Sequence, residues 1–376
     1  MPSDEAVERF QRVLEFDRVH AVFDGGRIVA GSGSFAFDLT VPGGSVPCAG
    51  VSIVGVDPTH RRRGIMSQLM RAELEAAHER GEPIAALWAS EAAIYGRFGF
   101  GLASLCGEID LSRERTAFVI PVEAPAARFV DVSEAVELFP VVYDPVAAET
   151  PGMFSRSRAW WETRVLEDHE ARSDGGGPRR RVVVEESGAP VAYAVYRHHQ
   201  SFDHSSSTGH IRVIEAIGAT PGATAKVWRY LLDVDWIASV QAGLLPLDHP
   251  LFLLLAEARR MNFIVVDALW VRLVDVGAAL SDRGYAAEGE VVFEIADGFC
   301  PWNEGRWRLA GGTAERTDAQ PDLRIAADGL GGVYLGGFTF RELFEAGRVE
   351  EVKPGALARA DALFRSDRAP WSPEIF

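Results

Sequence analysis

Between Ala49 and Gly81 the chain runs from an apolar strand through a short turn into a helix, and this junction constrains the fold more than any other stretch. Ala49-Gly50-Val51-Ser52-Ile53-Val54-Gly55-Val56 reads as a strand that Asp57-Pro58 ends. Ile65, Leu69, Met70, Leu74 and Ala77 then recur at helical spacing over residues 62–80, and Gly81 closes the helix. The turn between them contains Arg61, Arg62, Arg63 and Gly64. Free N–H groups and the positive end of the helix dipole converge at such a start, so it suits an anion, and glycine lets a phosphate approach the backbone. Arginine geometry suits phosphate as well. A basic cluster before a helix is weak evidence alone, because it is more often a solvated helix terminus.

The surrounding order gives the junction a context. Residues 4–16 read as an amphipathic helix, and Gly25-Gly26 joins the stretches 18–24 and 27–33 as a hairpin. The meander continues through 34–41, turns at Pro42-Gly43-Gly44 and enters the strand above. Ile84 to Ala89 is the next strand, Ser90 is placed to cap a short helix through Tyr95, and strands near 100–111 finish the first unit. After a Pro/Ala-rich connector at 121–127 come a helix at 133–139, the Trp160-Trp161 helix and a hairpin of Arg181–Glu185 with Val191–Tyr196. Strand 211–217, loop 218–222 and helix 223–233 then repeat the strand, loop, helix order of 51–80. That second loop, Gly218-Ala219-Thr220-Pro221-Gly222, has no arginine and puts proline where an N–H is needed, so it is not expected to hold a phosphate. From Leu269 onward, strands at 269–274, 290–296 and 306–310 mix with helices at 277–283, 322–328, 338–344 and 355–364, the texture of a third α+β unit.

A length of 376 residues suits two or three domains at roughly 100–200 residues each. A formal net charge of -16 argues against nucleic acid and favours cationic small molecules or amines, although acidity also serves solubility alone. No apolar run is long enough to cross a bilayer, and Met1 to Ala6 lack the basic start of a signal peptide, so no membrane partner and a cytoplasmic location are expected. Cys48, Cys106 and Cys300 are far apart and read as core thiols, and the histidines show no metal spacing, so no metal is expected. His60 and His78 read as surface residues, and no G-x-S-x-G supports a hydrolase.

The basic loop acquires a specific meaning from a second motif. Arg61 to Met66 resembles the R-x-x-G-x-[G/A] loop of the GNAT superfamily of N-acetyltransferases, with Met66 departing from the last Gly or Ala. Ile94-Tyr95-Gly96-Arg97-Phe98-Gly99-Phe100 resembles the superfamily's Y-x-[K/R]-x-G-[F/Y] element. A phenol near pKa ~10 is protonated at neutral pH and close enough to a thiol near ~8.5 to protonate a departing thiolate. The resemblance therefore implies acetyl-CoA as co-substrate, with Arg61, Arg62, Arg63, Gly64, Ile65 and Met66 on its pyrophosphate. It further implies Val54 and Val56 on the pantetheine amides, Ser90 as a further polar contact unless it only caps its helix, and Tyr95 as general acid. A buried core tyrosine is the bland alternative.

Val56 to Gly101, Ser155 to Glu162, Leu269 to Val276 and Phe299 to Trp307 together resemble the Eis (enhanced intracellular survival) acetyltransferases over nearly the whole chain. The expected architecture is mixed α/β (α+β): tandem GNAT folds followed by a sterol-carrier-protein-like domain. The expected boundaries are 1–115 for the catalytic domain, 116–266 for a degenerate second acetyltransferase domain and 267–376 for the terminal one. The first strand expected ahead of helix 4–16 is absent or much reduced. The resemblance also implies a homohexamer, aminoglycoside-like amines as substrates, and the carboxylate of Phe376 as general base. A carboxyl near ~3.5 facing an ammonium near ~10 leaves a gap of roughly 7 pKa units, about 9 kcal/mol, which burial against Trp371, Ile375 and the Phe376 ring would have to narrow. An exposed, frayed terminus is the bland alternative. Peptide lysines are another substrate class, and a non-catalytic carrier of apolar ligands is a different reading altogether.

Overall fold

A computed structural model of the chain describes residues 4–168, 173–204 and 206–376. Two compact units form, one from residues through Leu105 with Glu149–Ser155 and Asp267–Phe376, the other from Cys106–Ala148 with Arg156–Val266.

In the first unit, helix α1 (Asp4–Gln11) precedes strands β1 (Val19–Asp24), β2 (Arg27–Val41) and β3 (Gly44–Val56). The helical pattern expected to Phe16 stops at Gln11, and Phe16 is exposed. Among the described residues no strand precedes α1, and β1 is an edge of its sheet. Helix α2 (Ile65–Glu79) buries Leu69, Met70, Leu74 and Ala77, the stripe the spacing predicts. Strand β4 (Ile84–Trp88) then pairs parallel with β3, and helix α3 (Ala92–Tyr95) leads to β5 (Gly101–Leu102).

The sheet order is β1, β2, β3, β4, Leu269–Leu273, β5. The strand read from sequence as opening the terminal α+β unit therefore lies inside the first sheet, where Leu269–Leu273 pairs antiparallel with β4. Conversely β6 (Leu105–Ser112), read as finishing the first unit, belongs to the seven-stranded second sheet, paired with Ser239–Leu245. Strand patterning fixes which face is buried but leaves the pairing partner open.

The same unit carries a five-stranded sheet in the order Thr313–Arg316, Gly305–Ala310, Glu290–Ala296, Leu323–Ala326, Val349–Glu351. The helix read over 322–328 is instead a strand followed by the helix Ala327–Val333. Leu323 and Ile325 are buried while Arg324 and Ala326 are exposed, the two-residue alternation of a strand. The helix Ala356–Phe364 packs Phe364 against Phe340 and Phe293 at ring separations of 5.0 and 6.0 Å.

In the second unit, His210–Gly218, helix Pro221–Leu232 and Ser239–Leu245 repeat the order of β3, α2 and β4, and the two strands pair in parallel over His210–Val213. The helix read at 133–139 extends over Val132–Glu149, with Pro140 and Pro145 inside it. The three cysteines are buried. Among the described residues no helix is long and apolar enough to cross a membrane.

Candidate active site

The parallel pairing of β3 with β4 covers only Cys48–Gly50 against Ile84–Ala86. Beyond it both strands continue, β3 held on its other side by β2 and β4 by Leu269–Leu273, so the sheet opens as a V. Val54 and Val56 lie on the β3 arm of this opening. Ile53, just ahead of them, takes a positive φ of 46° where the pairing of β3 with β2 shifts register. A bulge of this kind re-aims the strand edge.

At the top of that arm the chain enters α2 without a side-chain cap. Gly64 occupies the N-cap position at φ 79°, and the first intrahelical bond of the junction is Gln68 N–H to Gly64 O. The N–H groups of Ile65, Met66 and Ser67 therefore carry the exposed positive end of the helix. A side chain at Gly64 would meet nothing within 4 Å, so the space over the turn is open. Arg61, Arg62 and Arg63 are exposed around it, and Arg62 is itself left-handed at φ 62°. Such a conformation costs a non-glycine residue about 1 kcal/mol and is characteristic of ligand clamps. Met66 turns its side chain into the apolar cluster beneath the junction, so its bulk does not occupy the turn.

The loop is braced from below. Asp57 accepts from Thr59 N–H (2.9 Å) and Thr59 Oγ1 (2.7 Å) and pairs with Arg27, and its carboxyl is pulled down to about 2, chiefly by the Thr59 hydroxyl. His60 spans Thr59 Oγ1 at 2.8 Å and Asp24 Oδ2 at 3.0 Å. Neither it nor His78, which stacks on Trp302 at 4.8 Å, is a loose surface residue. The β1–β2 hairpin tip thus holds the turn ahead of α2.

Tyr95 ends α3 with 6% of its surface exposed, sharing one cluster with Ala49, Val51, Leu87, Met70 and Leu74, and with Val54 and Met66 at its margin. Burial raises its phenol above the ordinary tyrosine range, and a hydrogen bond from Ser90 pulls part of that back. Ser90 does not cap α3, because the N-cap position is Glu91 and its side chain makes no cap bond. Below the Tyr95 turn lies a pair that sequence reasoning missed. Arg272 and Asp297 form a buried ion pair at 2.5 Å, with the guanidinium against Gly99.

Phe376 is seated on the other face of β3. Side chains alternate along a strand, so Ala49 and Val51, which face α2, place Gly50 on the opposite side. There a Cβ on Gly50 would lie 3.3 Å from the Phe376 ring, which also meets Phe37 and Phe154 at 5.2 Å each and Phe35 at 6.4 Å. Gly50 is the last β3 residue paired with β4, so Phe376 sits where the V begins to open. One of the apolar neighbours expected for it is turned to solvent. Ile375 is 59% exposed, and the seat comes from Phe35, Phe37 and Phe154. Nor is the tail frayed, since Ser372, Pro373 and Glu374 are buried. Asp38 lies on the exposed side of β2, and its backbone bonds Ser155. The Phe35/Phe37 alternation and the Pro151-Gly152 turn were the visible signals for this seat.

The residues present fit a nucleotide thioester: an uncapped helix start with arginines, an open strand edge, and a phenol within the same core. The second unit does not repeat the uncapped helix start. Thr220 accepts from Ala223 N–H at the start of the helix Pro221–Leu232, and Pro221 has no N–H to offer. Among the described residues no group of three or more His, Cys, Asp or Glu side chains is placed to hold a metal ion.

Comparison with known proteins agrees with this architecture. Residues 1–103 and 152–273 each match an acetyltransferase (GNAT) domain family, and residues 276–373 match a sterol carrier protein domain. An uncharacterized N-acetyltransferase of Streptomyces avermitilis is 41% identical across 100% of this chain and 93% of its own. N-acetyltransferase Eis of Mycobacterium tuberculosis is 35% identical across 88% of this chain and 81% of its own. The crystal structure of Eis1 from Mycobacterium abscessus superposes with a TM-score of 0.87 at 34% identity, over 100% of this chain and 94% of that one.

Proposed function

Since the chain belongs to the Eis-like GNAT N-acetyltransferases and is an acetyl-transferring enzyme, we propose that it moves the acetyl group of acetyl-CoA to primary amines of cationic small molecules such as aminoglycosides. The observation that carries this reading is the arrangement at the V of the first sheet. The uncapped start of α2 stands at its top, Tyr95 packs on the α2 face of β3, and Phe376 packs on the opposite face where the strands part. In this reading the acid and the base come from different faces of β3.

In this proposal Arg61, Arg62 and Arg63, with the N–H groups from Gly64 to Met66, hold the pyrophosphate, and the open edge at Val54 and Val56 pairs with the pantetheine amides. Acetyl-CoA supplies an acetyl carbon already activated as a thioester, so no protein nucleophile is needed. The amine nitrogen bonds to that carbon as the carbon–sulfur bond breaks. The Phe376 carboxylate first takes a proton from the substrate ammonium, which frees the nitrogen lone pair for that attack; Tyr95 Oη gives its proton to the departing sulfur, and the second nitrogen proton, shed as the amide forms, restores the phenol through solvent. Ser90, which hydrogen-bonds the phenol, tunes that acid. The net acidity of the chain favours amine cations at long range. The resemblance carries a homohexameric assembly with it, which light scattering of the purified protein tests.

Mass spectrometry of kanamycin or tobramycin incubated with the protein and acetyl-CoA tests the substrate class. A gain of about 42 Da per acetyl group is expected. Lysine peptides run in parallel decide between small-molecule and protein substrates, and no gain on either class would sink the proposal.

A further inference from the structure

The segment 149–155 leaves its neighbours in sequence and joins the first unit, where it lies between β2 and the C-terminal tail. On one side it is sewn to β2. Gly152 N–H donates to Thr40 O (2.8 Å), Thr40 N–H to Met153 O (2.8 Å) and Ser155 N–H to Asp38 O (2.9 Å). On the other side it holds the tail. Trp371 N–H donates to Pro151 O (2.8 Å), and Arg368 reaches Glu149 (2.9 Å) and Thr150 Oγ1 (3.3 Å). Phe154 closes the arrangement by packing on Phe37 at 4.9 Å and on Phe376 at 5.2 Å. One short strap therefore fixes the tail at Trp371 and again at its last ring.

The strap depends on Gly152. Its φ is +94°, and a Cβ there would lie 2.9 to 3.2 Å from the carbonyl oxygen, nitrogen and carbonyl carbon of Trp371. These are backbone atoms, so the tail itself would have to move. Four residues separate Trp371 from Phe376, and three of them, Ser372, Pro373 and Glu374, are buried, which leaves little slack to absorb a shift.

We propose that Gly152 is a positioning residue for the amine-side base, setting through the strap 149–155 where the Phe376 carboxylate stands relative to the V of the first sheet. The proposal rests on Phe376 being that base. Misplacement of a catalytic group by 1 Å can cost about 100-fold, so Gly152→Ala is expected to lower kcat about 10- to 100-fold while KM for acetyl-CoA stays within about twofold. A carboxylate that no longer reaches the amine matters less once the amine is already neutral, so the defect should shrink as pH approaches the amine's own pKa near ~10.

The experiment measures kcat and KM against pH for wild type, Gly152→Ala, a chain lacking Phe376, and the combination. Loss in Gly152→Ala with no further loss in the Phe376-deleted background is the expected result. Normal turnover on deleting Phe376 overturns the base reading, and the proposal with it. A severe defect on deletion beside normal turnover in Gly152→Ala overturns the positioning role alone, as does an equal loss from Gly152→Ala in both backgrounds. Should Gly152→Ala fail to fold, Arg368→Met loosens the same strap from a half-exposed side chain. Wild-type kcat in that variant then overturns the proposal.

Discussion

At Tyr95 two requirements on a general acid oppose each other. Burial keeps the phenol protonated through neutral pH, yet every step upward from the ordinary tyrosine range makes it a poorer donor to sulfur. Ser90 moderates this by favouring the phenolate. Tyr95→Phe should therefore lower kcat by about 10²–10⁴-fold, with acetyl-CoA affinity retained. Ser90→Ala should leave the acid in place but move the alkaline limb of the kcat profile to higher pH, and a limb that stays put would remove Ser90 from the mechanism. Glu73 poses a different balance. It is fully buried on α2, with Ser32 Oγ at 3.3 Å and His20 Nε2 at 3.7 Å, and burial raises its carboxyl while Ser34, His20, Arg80 and Ser32 draw it down. A folded-state value above the unfolded one means stability that is full below about pH 4.5 and is lost as pH rises through the folded value. Glu73→Gln should accordingly gain Tm relative to wild type at pH 8 and gain less, or lose, at pH 4, as thermal melts at the two pH values will read.

The two strand, loop, helix junctions show what an element can and cannot announce in advance. Arg61 to Gly64 before α2, and the proline in the second loop, were legible because each is a local matter of which N–H groups remain free, and both appear in the folded chain as Gly64 without a cap and Thr220 with one. Titration calorimetry with CoA should give a single site per chain. Replacing Arg61, Arg62 and Arg63 by alanine should weaken it about tenfold at low salt and less at 1 M, where charges are screened. Binding of a second CoA would restore the second unit as a nucleotide site. Residues 322–328 were misread because a short segment satisfies helical and strand spacing alike until a neighbour chooses, here the parallel edge of Glu290–Ala296. The exchange of Leu105–Ser112 and Leu269–Leu273 between sheets was illegible for a related reason, since a strand's pattern names its buried face and never its partner.

For the whole molecule, the longest-range fact is that the last residue of the chain meets its first sheet. Phe376 and Gly50 are separated by nearly the entire sequence, so no window of pattern could pair them, and only a family resemblance suggested a role for the terminus. The terminal domain supplies the path. Arg283, buried and stacked over Phe364 and Tyr285, donates to the carbonyls of Phe364 and Tyr334, tying down the end of the helix Ala356–Phe364 from which the tail departs. Beyond it the buried residues Ser372 to Glu374 and the strap at 149–155 lead to the aromatic seat. If this path exists to deliver a carboxylate, then adding residues after Phe376 should be as damaging as removing it. The ring could keep its seat while the carboxylate becomes an amide, which has no basicity to lend. A short Gly/Ser extension at the C-terminus is thus expected to lower kcat to the level of the Phe376 deletion, about 10²-fold or more, with Tm and CoA affinity close to wild type. The same extension at the N-terminus should leave turnover unchanged. Full activity in the C-terminally extended protein would transfer the base to a side chain or to solvent and leave the tail a packing element alone.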